Sequence, residues 1–206
     1  MATSIVSICN LALFNVGSTA NIASLTERSK EAQVCAQVYD ITRDAVLAQM
    51  APAWATRRAA LADTGEAPAG WQYGYAYPAD CLKITDVLPA GMRAVLPGTQ
   101  RIAFDLTMNA VGTGRLIACD LAQAEACYIQ RIEDPSLYPP LFVQALAWGL
   151  AAAICVPLKV DGNTARAAQE RYNAMLSAAS ASAAGERYTP ADPYRTAVGI
   201  NEARFA

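Results

Sequence analysis

The side chains available for chemistry in this 206-residue chain are carboxylates, thiols and tyrosines, because it contains no histidine. Ser-His-Asp and Cys-His catalysis both move a proton through an imidazole, so both are excluded. A Ser-Lys arrangement has little to draw on: only Lys30, Lys83 and Lys159 are lysines, and no S-x-x-K occurs. Paired carboxylates can cleave glycosidic bonds, and Asp80 with Asp86, or Glu133 with Asp134, are the candidate pairs. Against that chemistry, Asp80 follows Pro78 as a turn residue and Glu133-Asp134-Pro135 reads as a strand end. Gly112-Thr113-Gly114 is a bare G-x-G without a third glycine or a following helix, which fits a hairpin loop better than a phosphate cradle. Trp71, Tyr73, Tyr75 and Tyr77 alternate with smaller residues, so their rings share one strand face. Such a face can stack sugars or bases, or can pack against a helical bundle with its hydroxyls at the margin; without basic neighbours the packing role is expected.

Cys9, Cys35, Cys81, Cys119, Cys127 and Cys155 show neither C-x-x-C nor metal-site spacing. They are expected to be free core thiols in a reducing compartment, and no metal or other cofactor is expected. Residues 1–17 have no basic leader and read as a helix, not a signal peptide, so the chain is expected in the cytoplasm until it is assembled into something larger. Sixteen Lys and Arg against 18 Asp and Glu give a net charge of −2 and no basic block, which argues against sequence-specific DNA reading. With 54% hydrophobic and 17% charged residues, few charges are left to cover a surface, so part of it should be covered by other protein.

These residues need elements to position them. Ser4 is a plausible N-cap for a helix that Gly17 stops. Thr26 or Ser29 can cap a second helix to about Met50, with apolar stripes on two sides: Val34, Val38, Ile41, Ala45, Ala48 and Cys35, Tyr39, Val46, Met50. Between Gly65 and Asp134, glycine and proline punctuate short runs at 71–77, 82–88, 101–106, 115–119 and 126–132, which read as antiparallel strands with turns at 89–91, 97–99 and 107–114. Pro139-Pro140 opens a third helix that ends before Pro157; it is too short for the ~20 residues a bilayer requires, so no membrane association is expected. Asp161 caps an alanine-rich fourth helix that fades by Ala184. The reading is therefore α+β, mainly α: a bundle of about four helices (1–64 and 135–184), a small antiparallel β-rich insertion (65–134) and an extended C-terminal arm (185–206) without clear period.

Several motifs recur in one order. They are Cys9-Asn10-x-Ala12-Leu13 with Gly17, Ser29-Lys30-Glu31-Ala32 leading to Tyr39 and Arg43-Asp44, and Trp54 with Arg57-Arg58-Ala59-Ala60-Leu61. Then come Trp71-x-Tyr73-x-Tyr75-x-x-Pro78-x-Asp80-Cys81-Leu82, and Tyr128-Ile129-x-Arg131-Ile132-Glu133-Asp134 running on to Phe142. Over roughly residues 4–183 the chain resembles the tail tubular protein A, or head-to-tail adaptor, family of short-tailed phages. It departs where Ala53 and Ala55 flank Trp54, across 89–114, and after Ala184. The resemblance implies a non-enzymatic virion protein at the head–tail junction. It also implies a homo-oligomeric ring of twelve beneath the portal protein, a docking surface for the tail nozzle (tail tubular protein B), and a lumen through which double-stranded DNA passes non-specifically. A weakly acidic subunit suits such a conduit, since each phosphate contact would add friction. Arg187, Tyr188, Tyr194, Arg195 and Phe205 are the expected partner-interface residues, because Tyr and Arg are favoured anchors. The competing expectation is a tail-associated glycan-binding or cell-wall-degrading protein using the 71–77 face and Asp80.

Overall fold

The computed structural model describes residues 3–92 and 101–186. Helix α1 spans Ile5–Asn15; the Ser4 hydroxyl accepts from the Ser7 amide while Ser7 Oγ accepts from the Ser4 amide, closing both orphan donors. Helix α2, Lys30–Met50, is capped by Ser29, whose Oγ accepts from the Ala32 amide. Helix α3, Pro140–Cys155, starts on proline, which needs no amide partner there. Helix α4, Gly162–Gly185, is capped by the Asp161 carboxylate on the amides of Asn163 and Thr164.

Helix α3 lies between α1, α2 and α4 and is buried on almost every side. Gly149 permits this closeness. A Cβ there would lie 3.1 Å from the Tyr172 ring and 3.2 Å from the Thr42 methyl. Helix α2 buries the stripe containing Cys35, Tyr39, Val46 and Met50, whereas Ile41 of the other expected stripe is exposed. No helix among the described residues is long and apolar enough to cross a membrane.

The expected helical bundle with a small β-rich insertion is overturned. The described residues hold seven strands in two antiparallel sheets besides the four helices. Strands β1 (Thr56–Ala60), β7 (Ala124–Gln130) and β4 (Cys81–Pro89) form one sheet in the order β1-β7-β4. Strands β2 (Asp63–Glu66), β3 (Tyr73–Ala76), β6 (Arg115–Cys119) and β5 (Phe104–Met108) form the other, in the order β2-β3-β6-β5. Sequence reading missed β1 and β2 for a physical reason. Thr-Arg-Arg-Ala-Ala and Asp-Thr-Gly-Glu carry almost no intrinsic strand signal, and only pairing with β7 and β3 makes them strands. The expected turn at 97–99 lies outside the described residues.

Two cores result. One joins the helices and receives Ile129 from β7; the other lies between the sheets and takes Ala124, Ala126 and Tyr128 from the opposite face of the same strand. The first sheet is thus the middle layer, with the helices on one side and the second sheet on the other.

The cap of α4 carries a pH signature. Thr164 and the first-turn amides hold Asp161 below the usual carboxylate range, and the Gly91 amide with Arg58 does the same for Glu125. Groups with a depressed folded pKa contribute stability that is present above their unfolded value and is lost as pH falls through the folded one. We expect stability to decline below about pH 4, and the Asp161→Asn, Glu125→Gln double variant to show a shallower decline. Urea titrations at several pH values measure this; an unchanged acid slope would remove these two groups from the account.

Candidate functional site

The expected catalytic constellations do not form. Asp80 precedes β4, and Asp86 lies six residues on along it, so their carboxylates are on the order of 20 Å apart along an extended strand, beyond the roughly 5–9.5 Å that glycoside chemistry uses. Asp80 instead accepts from Arg57 at 2.9 Å and from the Tyr128 hydroxyl at 3.0 Å. Asp86 is paired with Arg101 at 3.2 Å. Asp134 caps the 3-10 turn Pro135–Leu137 by accepting from the Ser136 amide, which holds its carboxyl low. Among the described residues no cluster of three or more His, Cys, Asp or Glu is placed to hold a metal ion. All six cysteines are buried.

The aromatic row faces inward. Tyr75 is buried in the core between the sheets, Tyr73 stacks on it with ring centroids 6.3 Å apart, and Tyr77 packs on the same cluster. The rings pack against the other sheet and not, as expected, against the helices. Trp71 stands ahead of β3, half-buried. The 109–114 turn is a hairpin loop: the Gly112 amide bonds the Asn109 carbonyl, and the Thr113 and Gly114 amides bond Asn109 Oδ1. Those donors are already committed, so the turn offers no phosphate cradle.

Beside this hairpin, a cavity of about 370 Å³ is lined by Thr64, Tyr77, Asn109 and Arg115. The Arg115 guanidinium lies 3.9 Å from the centre of the Tyr77 ring, a cation–π contact. Burial pushes the Tyr77 hydroxyl up to about 12, so it remains a neutral hydroxyl at physiological pH.

What the structure brings together is a different set. Arg43 lies in the buried stripe of α2 and is only 4% exposed. Its Nη1 reaches Asp40 at 2.7 Å, and its Nε and Nη2 reach Asp44 at 2.9 and 2.8 Å. Burial opposes the charge, but Asp44 and Asp40 outweigh it, and the net shift of Arg43 is upward. Asp44 also accepts from Arg131 Nε at 2.8 Å, and the Arg131 amide bonds the Asp80 carbonyl. A polar chain therefore runs from α2 through the end of β7 to the start of β4 and on to Arg57 of β1.

Beside it stands an aromatic triad. Phe142 meets Tyr138 edge-on at 4.9 Å and Trp54 at 5.2 Å, and Tyr138 donates to the Ile132 carbonyl. Burial raises the Tyr138 hydroxyl, and both Tyr138 and Tyr39 sense the Arg43 charge. Asn10 secures the remaining motif. Its amide donates to the Ile22 carbonyl and its oxygen accepts from the Ile22 amide, pinning the loop after α1 as a strand partner would.

Members of four of the motifs, Arg43-Asp44, Trp54 with Arg57, Asp80, and Tyr128 to Phe142, thus meet at one seam, where the helical layer joins the first sheet. The signal that could have found it is a charged residue, Arg43, on an otherwise apolar helix stripe, flanked by Asp40 and Asp44. The expected interface residues Arg187, Tyr188, Tyr194, Arg195 and Phe205 lie outside the described residues. No family model matches this chain, and a search of curated proteins returned no match either.

Proposed function

We propose that this chain is a head-to-tail adaptor subunit of a short-tailed phage. In this reading it is a structural virion protein. Twelve copies close into a ring beneath the portal, present a docking surface to the tail nozzle and surround the DNA passage. The observation that carries the reading is the seam: Arg43, Asp44, Trp54, Asp80, Arg131, Tyr138 and Phe142, all drawn from the motifs behind the resemblance, are partners in one joint. A joint that fixes the helical layer on the first sheet in one orientation suits a subunit loaded from neighbours on two sides and partners above and below. The charge balance agrees, since a net −2 chain with three lysines has little grip on a sliding polyanion.

The test is electron microscopy of the purified protein mixed with portal rings of the same phage. Added density of twelvefold symmetry on one face of the ring is the expected result. Bare portal rings beside free monomers would overturn the proposal.

A further inference from the structure

The second sheet ends on β5, and among the described residues no strand pairs with the outer side of β5. Natural sheets protect such an edge with lysine, proline, a bulge or an overlying element, because its free amides and carbonyls pair readily with another chain. Strand β5 is Phe-Asp-Leu-Thr-Met, with a regular register to β6 and neither lysine nor proline. Its two faces differ. Phe104 packs on the core between the sheets, and Leu106 and Met108, on the same face, are 51% and 53% exposed. Asp105 and Thr107 occupy the other face. The inner apolar face therefore extends to the last strand, and among the described residues no further strand covers it there.

A segment that matches this edge exists in the same chain. The arm at 185–206 has no period as a whole, but residues 194–200 alternate: Tyr194, Thr196, Val198 and Ile200 fall on one face, Arg195, Ala197 and Gly199 on the other. Pro193 immediately before them suits the first position of an edge strand. The faces also match in charge. Setting Arg195 beside Asp105 brings Tyr194 and Thr196 onto the face of Phe104 and Leu106 whichever way the added strand runs.

We infer that residues 194–200 of one copy add as a strand to the outer edge of β5 in a neighbouring copy. Backbone hydrogen bonds supply the affinity and the Arg195–Asp105 pair selects the register, which puts Tyr194 opposite Leu106 if the added strand runs antiparallel to β5 and Val198 opposite Met108 if it runs parallel. The donor is another copy because α4 ends in the helical layer, packed on α3 and α2. The second sheet lies on the far side of the first from that layer, and only residues 186–193 separate the end of α4 from Tyr194 to span the distance. A head-to-tail exchange of this kind is heterologous and propagates from copy to copy. It does not rest on the adaptor reading, since copies can exchange strands with or without a portal.

The test uses full-length chains and a short bismaleimide that joins two thiols. One chain carries Asp105→Cys and a second carries Arg195→Cys; the six native thiols are buried in the folded protein. The mixture is expected to give a covalent dimer, several-fold more of it than either variant gives alone. Three results would each overturn the inference: no cross-link in the mixture, an equally abundant dimer from Asp105→Cys alone, or a cross-linked monomer from a chain bearing both substitutions. The second would mean that β5 pairs with itself, and the third that the arm folds onto its own sheet. A charge-reversal check follows. Asp105→Arg and Arg195→Asp should each weaken self-association in sedimentation by up to about fivefold, the range of an exposed ion pair, and mixing the two variants should restore it; failure to restore would overturn the assigned register.

Discussion

Asp44→Asn should lower the unfolding free energy by about 3 kcal/mol, because it removes the carboxylate that compensates a buried guanidinium. Asp44 takes one hydrogen bond from Arg43 Nε, an ion-pair contact from its Nη2 at 2.8 Å, and one hydrogen bond from Arg131. Asparagine retains one acceptor oxygen but no charge. Arg43 would keep only Asp40, whose side chain is 74% exposed and whose attraction is therefore damped by water. Breaking a buried pair from one side typically costs 3–5 kcal/mol, and the retained acceptor places this case at the lower end. Asp40→Asn is the control and should cost less than about 1 kcal/mol, as exposed pairs do. Guanidinium titrations monitored by circular dichroism measure both, with the slope checked for constancy. A loss below about 1 kcal/mol for Asp44→Asn would mean that water already solvates Arg43 and that the seam is held by packing alone.

The same pair of variants bears on what the sequence makes legible. The four helices are readable because caps and stops announce them: Ser4 and Asp161 occupy the N-caps the pattern predicts, Ser29 is the one of the two expected caps, Thr26 or Ser29, that α2 uses, and Pro140 opens α3. Strands β4, β6 and β7 are readable because short apolar runs lie between turn residues. The extent of the sheets is not legible. β1 and β2 exist through hydrogen bonds to strands tens of residues away, and polar, alanine-rich composition gives no local hint of that. The destination of the Tyr73–Tyr77 face was half legible: alternation shows that the rings share a face, but not which layer covers it. The seam was legible as motifs and not as an object. Nothing local in Arg43-Asp44 says that Arg131, 87 residues on, will complete the ion pair. Tertiary contacts of that kind depend on the packing angle of two layers, which spacing does not encode.

Phe142→Ala should be the largest single loss in the apolar part of the seam, about 4 kcal/mol. Phe142 is 1% exposed and holds edge-on contacts to Trp54 and Tyr138 at interplanar angles of 77° and 69°. Alanine forfeits the transfer energy of the ring, leaves a cavity beside Trp54 and Tyr138, and removes two quadrupole-aligned contacts. For a chain of this size each kcal/mol moves the thermal midpoint by about 2–4 °C, so a fall of roughly 8–16 °C is expected in calorimetry. Phe142→Leu fills most of the volume and should cost less than half as much. The two large effects are also expected to be coupled. Tyr138 touches the Phe142 ring and lies within the field of Arg43 and Asp44, so loosening either side loosens the other. The Asp44→Asn, Phe142→Ala double variant should therefore lose about 0.5–1 kcal/mol less than the sum of the singles, the usual scale for residues sharing a partner. Strict additivity would instead divide the seam into two independent joints, one ionic and one aromatic, and Tyr138 would belong only to the second.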